Sequence, residues 1–118
     1  MPNPTAPDCL FCKLRDGGIP AAITHRDDDV IAFKDITPKA PFHELVIPTR
    51  HLASLADATA ADALLLGKLM VVGAERGRAS GFADGFRVVM NAGPAAGQTV
   101  FHVHLHVLAG RSLGWPPG

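Results

Sequence analysis

An α+β fold is predicted for this chain: an antiparallel sheet of about five strands, one long helix and a short N-terminal helix. Three observations predict it. Short apolar segments at residues 22–25, 30–34, 43–47, 86–90 and about 100–109 are bounded by Gly, Pro, Asn or Asp, as strands are. Residues 59–78 carry apolar side chains at helical spacing. The order is mostly strands joined by turns, with one long helix inserted.

Residues 1–8 are rich in proline and are expected to be a flexible N-terminus, leaving 9–118 as a single domain. Residues 9–15 (CLFCKLR) suit one or two helical turns, ended by Gly17-Gly18. Two strands then flank the polar turn at 26–29, Pro38 and Pro41 break the chain, and a third strand at 43–47 stops at Pro48. In the long helix, Leu65, Leu66, Leu69, Met70, Val72 and Gly73 define one face. Asp57 or Thr59 suits the N-cap and Asp62 the first turn, while Arg76 and Arg78 complement the dipole at the other end. Gly67 and Gly73 each cost about 1 kcal/mol against Ala inside a helix, which a close approach by another element would explain. A fourth strand at 86–90 and a Gly-rich loop at 91–99 precede the last strand.

Composition narrows the function. Apolar residues make up 47% of 118, enough for a core, and 11 basic side chains balance 11 acidic ones. Such neutrality does not suggest a nucleic acid or an anionic membrane as partner. No apolar run reaches the length of a membrane span, and the first eight residues lack the basic and apolar regions of a secretory signal, so a cytoplasmic protein is expected.

The most informative segment is Phe101-His102-Val103-His104-Leu105-His106-Val107-Leu108. On a strand, whose side chains alternate, the three histidines share one face and Phe101, Val103, Leu105 and Val107 the other. Four readings compete: core histidines, a metal site on all three rings, nucleophilic catalysis by one imidazole, and anion binding. The loop before the run favours the phosphoryl chemistries. Gly93 and Gly97 let backbone N–H groups approach an anion, and Gln98 and Thr99 add side-chain donors.

The segment from Gly97 to Leu108 resembles the signature of the histidine triad (HIT) family. Ala32-Phe33-Lys34-Asp35-Ile36-Thr37-Pro38 and His43-Glu44-Leu45-Val46-Ile47-Pro48-Thr49-Arg50-His51 resemble its upstream blocks, and the ending Trp115-Pro116-Pro117-Gly118 resembles the HINT, or nucleoside phosphoramidase, branch. The resemblance implies a HIT-like sheet and an enzyme that hydrolyses purine nucleoside 5′-phosphoramidates through a nucleotidyl-histidine intermediate. The alternatives are a dinucleoside polyphosphate hydrolase and a nucleotide-binding regulatory module. The implied catalytic residues are His104 as nucleophile, His106 on the phosphate oxygens, His102 as the first triad member and His43 in support. Implied for nucleotide binding are Asp35 on the ribose, Phe33, Ile36 and Ile19 around the base, and Asn91, Gly97, Gln98, Thr99 and His106 around the phosphate. Each has a plainer competing role: turn formation for Asp35 and Asn91, core packing for Phe33 and Ile36.

Cys9 and Cys12 form a CxxC, which alone fits a redox pair, half of a zinc site or chance. No βαβ pattern surrounds it, which weakens the redox reading. Similarity to bacterial members of the family implies a structural zinc held by Cys9, Cys12, His51 and His102. The resemblance also implies a homodimer, for which the Leu/Met/Val-rich helix and its glycines are suited, and the Trp115 tail is a candidate to reach the partner's site.

Overall fold

The structure is a computed structural model that describes residues 6–118. Residues 1–5 of the expected flexible N-terminus lie outside the described residues. In chain order come α1 (Leu10–Arg15), β1 (Ile23–Arg26), β2 (Val30–Lys34), β3 (Phe42–Pro48), α2 (Ala63–Ala79), β4 (Phe86–Val89) and β5 (Leu105–Ala109). The five strands form one sheet in the order β1-β2-β3-β5-β4, every neighbouring pair antiparallel. The α+β class and the strand number are as the sequence predicts.

Alternation within the strands builds two layers of core. On β2, Val30 and Ala32 face the side of α2, where they cluster with Val46, Leu69, Val72, Val103, Leu105 and Val107. Ile31 and Phe33 face the opposite side and join Phe11, Leu14, Leu45 and Ile47 beneath α1. Because this strand is buried on both faces, it reads as a continuous apolar run.

The long helix begins at Ala63, later than the expected start near 59, because the expected cap serves a preceding turn, and it also packs differently. Thr59 caps a single 3-10 turn (Ala60–Asp62) in a capping box, its hydroxyl accepting from Ala61 N–H and its own N–H donating to Asp62 Oδ2 at 2.9 Å. Arg50 pairs with the same carboxylate. The buried face is Leu69, Val72, Gly73 and Gly77, with Leu66 packed against it. Met70 was expected on that face but is exposed, as are Leu64 and Val71. At 100° per residue, Met70 stands about 80° from the direction midway between Leu69 and Gly73, at the margin of the buried face.

Close approach falls on Gly77 rather than Gly67. A Cβ at Gly77 would lie 2.6 Å from ring atoms of Phe86 on β4, whereas nothing lies within 4 Å at Gly67. At Gly73 the nearest atom would be Leu105 Cδ1 at 3.4 Å. Arg76, expected to serve the helix dipole, instead turns to the sheet and donates from Nε and Nη2 to both carboxylate oxygens of Glu44, at 2.8 and 3.0 Å.

The last strand is shorter than expected. Regular pairing begins at Leu105, so His106 alone of the three histidines lies on β5. Residues 102–104 are irregular backbone, tied to the preceding segment by Val103 N–H donating to Leu52 C=O at 2.7 Å. Phe101, expected on the buried face, is 46% exposed because it lies before the paired stretch.

Candidate functional site

The three histidines lie on the α1 side of the sheet, and their hydrogen-bond partners fix the tautomer of each. A neutral imidazole has one donor and one acceptor nitrogen. His104 Nδ1 faces the carbonyl oxygen of His102 at 2.7 Å, so it carries the proton and Nε2 keeps a lone pair. His102 Nε2 faces the carbonyl of Pro48 at 2.8 Å, so its Nδ1 is the bare nitrogen. His43 Nδ1 accepts from Lys39 N–H at 3.0 Å, so its proton sits on Nε2 and points at His106 Nδ1, 2.9 Å away. His106 therefore accepts at Nδ1 and offers Nε2–H as a donor. One nucleophilic nitrogen and one hydrogen-bond donor thus come from adjacent rings whose centroids are 5.1 Å apart.

Burial keeps these rings neutral. Desolvation lowers the pKa of His43 and His104 from the ordinary histidine value. It lowers His106 to about 4, with His104 and His43 adding like-charge repulsion if protonated. An imidazole that stays neutral is a competent nucleophile near pH 7. The unfolded chain takes up protons near pH 6.5, whereas folded His106 does so near 4. Between those values the unfolded state binds more protons, so stability is complete above pH 6.5 and is lost as pH falls through about 4. The urea midpoint is expected to fall across that window, and to fall less in His106→Gln. An equal fall in both proteins would place the linkage elsewhere.

The expected nucleotide-contacting residues divide. Asp35 Oδ1 accepts Thr37 N–H at 2.8 Å, the turn role that competed with ribose binding, while Oδ2 faces His43 Nε2 at 3.4 Å. Ile36 is 95% exposed at the tip beyond β2, which rules out core packing as its role. Phe33 is buried beneath α1 and Ile19 packs against the same cluster. Gln98 differs from expectation. It is buried, its amide nitrogen donates to Ala53 and Val100 carbonyls at 2.7 and 3.1 Å, and its oxygen accepts Gly93 N–H at 2.9 Å. With both donor hydrogens engaged, it braces the loop in this structure. The loop turns at Gly93 and Gly97, whose φ values of 89° and 96° favour glycine. Asn91, half-buried beside Gly97, and exposed Thr99 complete the rim.

His102 points away from the other two, toward the cysteines. Its Nδ1 lies 3.3 Å from Cys9 Sγ, 3.6 Å from Cys12 Sγ and 3.2 Å from His51 Nδ1, and His51 Nδ1 lies 3.4 Å from Cys12 Sγ. Around a tetrahedral zinc, with Zn–S near 2.3 Å and Zn–N near 2.0–2.1 Å, the N···N edge is about 3.3 Å and the S···N edges about 3.5 Å. These four residues fit that ion, and the bare Nδ1 of His102 is what a ligand requires. Both cysteines are free thiols. Asp35, His43 and His106 are also close enough to hold a metal. There the proton inventory opposes it: while His43 Nδ1 accepts from Lys39, Nε2 bears hydrogen and has no lone pair to give.

Sequence reasoning missed two kinds of participant. Lys39 N–H and the carbonyls of Pro48 and His102 are backbone groups with no residue-type signature. Phe11 touches His102 and His104 edge-on, at 6.0 and 5.2 Å between centroids; its place inside the CxxC was the available signal.

An α+β domain thus presents a desolvated imidazole with one bare nitrogen, a neighbouring imidazole backed by a hydrogen-bond relay, and a metal-type cluster beside them. The HIT domain family model matches residues 16–113, and the chain belongs to that family. It is 48% identical over 111 residues to an uncharacterised HIT-like protein of Synechococcus elongatus, spanning 94% of this chain and 97% of that one. An uncharacterised HIT-like protein of Synechocystis is 49% identical over 113 residues, spanning 96% of this chain and 99% of that one. Among solved structures, a HIT family hydrolase from Legionella pneumophila superposes with a TM-score of 0.91 at 42% identity, covering 94% of this chain and all of that one. A histidine triad protein from Clostridium difficile gives 0.88 at 40% identity, covering 93% and 96%. No helix among the described residues is long and apolar enough to cross a membrane.

Proposed function

We propose that this chain is a nucleotide hydrolase or transferase that cleaves purine nucleoside 5′-phosphoramidates. The observation that carries the reading is the pairing of a bare, desolvated His104 Nε2 with the donor Nε2–H of His106. His104 Nε2 attacks the α-phosphorus, the P–N bond breaks, and the amine departs with a proton taken from solvent, which the later attack of water returns. Water then attacks the nucleotidyl-His104 and releases the monophosphate. His106 holds a phosphoryl oxygen through Nε2–H, and His43, anchored by Lys39 N–H, keeps that hydrogen directed outward. The match to structures named HIT family hydrolases supports hydrolysis as the reaction class.

Ile36, Ile19 and Phe33 are proposed to receive the base, and Asp35 the ribose. Asn91, Gly97 and Thr99 are proposed to line the phosphate, with Gln98 holding their loop in shape. Zinc is proposed on Cys9, Cys12, His51 and His102. With four protein ligands it leaves no open position, so it shapes the site rather than acting as Lewis acid. The exposed Leu64, Met70 and Val71 on α2 support a homodimer, and one HIT domain over residues 9–118 in the cytoplasm completes the reading.

The test compares adenosine 5′-phosphoramidate with diadenosine polyphosphates. Preferred hydrolysis of the phosphoramidate is expected. Preference for the polyphosphate would move the chain to the alternative hydrolase class, and nucleotide binding without turnover of either would favour a regulatory binding module.

A further inference from the structure

We propose that Phe11 is a positioning residue for His104, and that closure of the Cys9–Cys12 turn by a metal ion holds it in place. The inference rests on the reading of His104 as nucleophile. Phe11 is 5% exposed and meets three rings edge-on: His104 at 5.2 Å and 86°, His102 at 6.0 Å and 77°, and Phe33 at 5.5 Å and 69°. These are the favoured T-shaped geometries of aromatic pairs. A ring so confined limits the swing of the His104 ring.

The support for Phe11 is itself short. It lies between the two cysteines on α1, a helix of six residues, below the length at which a helix sustains itself. Cys9 is the N-cap, its sulfur accepting Cys12 N–H at 3.3 Å. An ion bound by Cys9, Cys12, His51 and His102 would tie this turn to two distant segments. The same His102 supplies the carbonyl that takes the Nδ1–H of His104 at 2.7 Å. The cluster therefore reaches the nucleophile twice, through the Phe11 ring and through the His102 main chain. Placement matters because a misplacement of about 1 Å can cost roughly a hundredfold in rate.

The experiment compares wild type and Phe11→Leu, each with one equivalent of zinc and after chelation. Zinc uptake, AMP affinity, steady-state kinetics and the ¹⁵N signals of the His104 ring are measured. Phe11→Leu is expected to take up one zinc and bind AMP as wild type does. Its kcat for adenosine 5′-phosphoramidate is expected to fall about tenfold or more with KM little changed. Zinc removal from wild type is expected to lower kcat at least as much, and to add less in the variant, because the variant has already lost the Phe11 route and only the His102 route remains. The His104 nitrogens are expected to report a single Nδ1–H tautomer only in zinc-loaded wild type. Unchanged kcat and ring signals in a zinc-loaded Phe11→Leu would overturn the proposal, as would wild-type ring signals indifferent to zinc. Should Phe11→Leu not fold, Phe11→Met, which fills the same space without a ring, carries the same measurements. If wild type leaves the phosphoramidate intact, the functional reading fails while the same signals still test the positioning.

Discussion

Replacing His104 with alanine is expected to reduce hydrolysis of adenosine 5′-phosphoramidate by about a thousandfold or more while nucleotide binding persists. The size follows from the role. Among the described residues, no other ring in the site offers an unprotonated nitrogen that is free of a partner: His106 Nδ1 is taken by His43, and His102 Nδ1 lies among the cysteines and His51. Alanine also leaves the His102 carbonyl without the Nδ1–H donor, a loss of about 1–3 kcal/mol for a buried acceptor. His104→Asn separates the two effects, because its amide can still donate to that carbonyl but has no nucleophilic nitrogen. Both variants are expected to be inactive, with Asn nearer wild type in thermal stability. A nucleotidyl adduct on the His104 peptide of wild type, absent in both variants, would show the intermediate. Activity retained in His104→Asn would exclude His104 as the nucleophile.

Much of this site was legible because its parts are side chains of distinctive type in short runs. The HxHxH, the Gly-rich loop and the CxxC each announce a chemistry, and the strand period correctly sends Val103, Leu105 and Val107 to the helix side. What the pattern does not show is where regular pairing begins. Three alternating histidines read as one face of one strand, yet β5 starts at Leu105. His102 is thereby released to turn toward Cys9 and Cys12. The division of the triad between a metal-type cluster and a ring with one bare nitrogen is a tertiary result, set by the carbonyl of Pro48 and the position of α1. Gln98 illustrates the same limit. Its donors were legible as donors, but their direction depends on the Ala53 and Val100 carbonyls, which sequence spacing does not locate.

Charge inside a strand was the other underread signal. Glu44 stands in an apolar segment beside His43, and the structure buries it to 1% exposure on the α2 side of β3. It accepts from Arg76 through both oxygens and from the Thr24 hydroxyl at 2.7 Å. The carboxylate in turn raises the pKa of Arg76, chiefly through this hydrogen bonding. Arg76→Ala removes the ion pair and leaves a buried charge with one neutral donor. Breaking such a pair by deleting one partner costs about 3–5 kcal/mol, a large share of the stability of a small domain. Urea unfolding of Arg76→Ala is expected to show that loss. Replacing both partners with leucine is expected to recover most of it, since removing both charges also removes their desolvation cost. The consequence extends to the site, because His43 and Glu44 are consecutive on β3 and point to opposite faces. A strand that shifts to hydrate Glu44 carries His43 away from His106. Arg76→Ala is therefore expected to lose activity as well as stability at temperatures where it remains folded, and the Glu44→Leu/Arg76→Leu double variant to regain both. A double variant as unstable as Arg76→Ala would show that the pair contributes more than the avoidance of an unpaired charge.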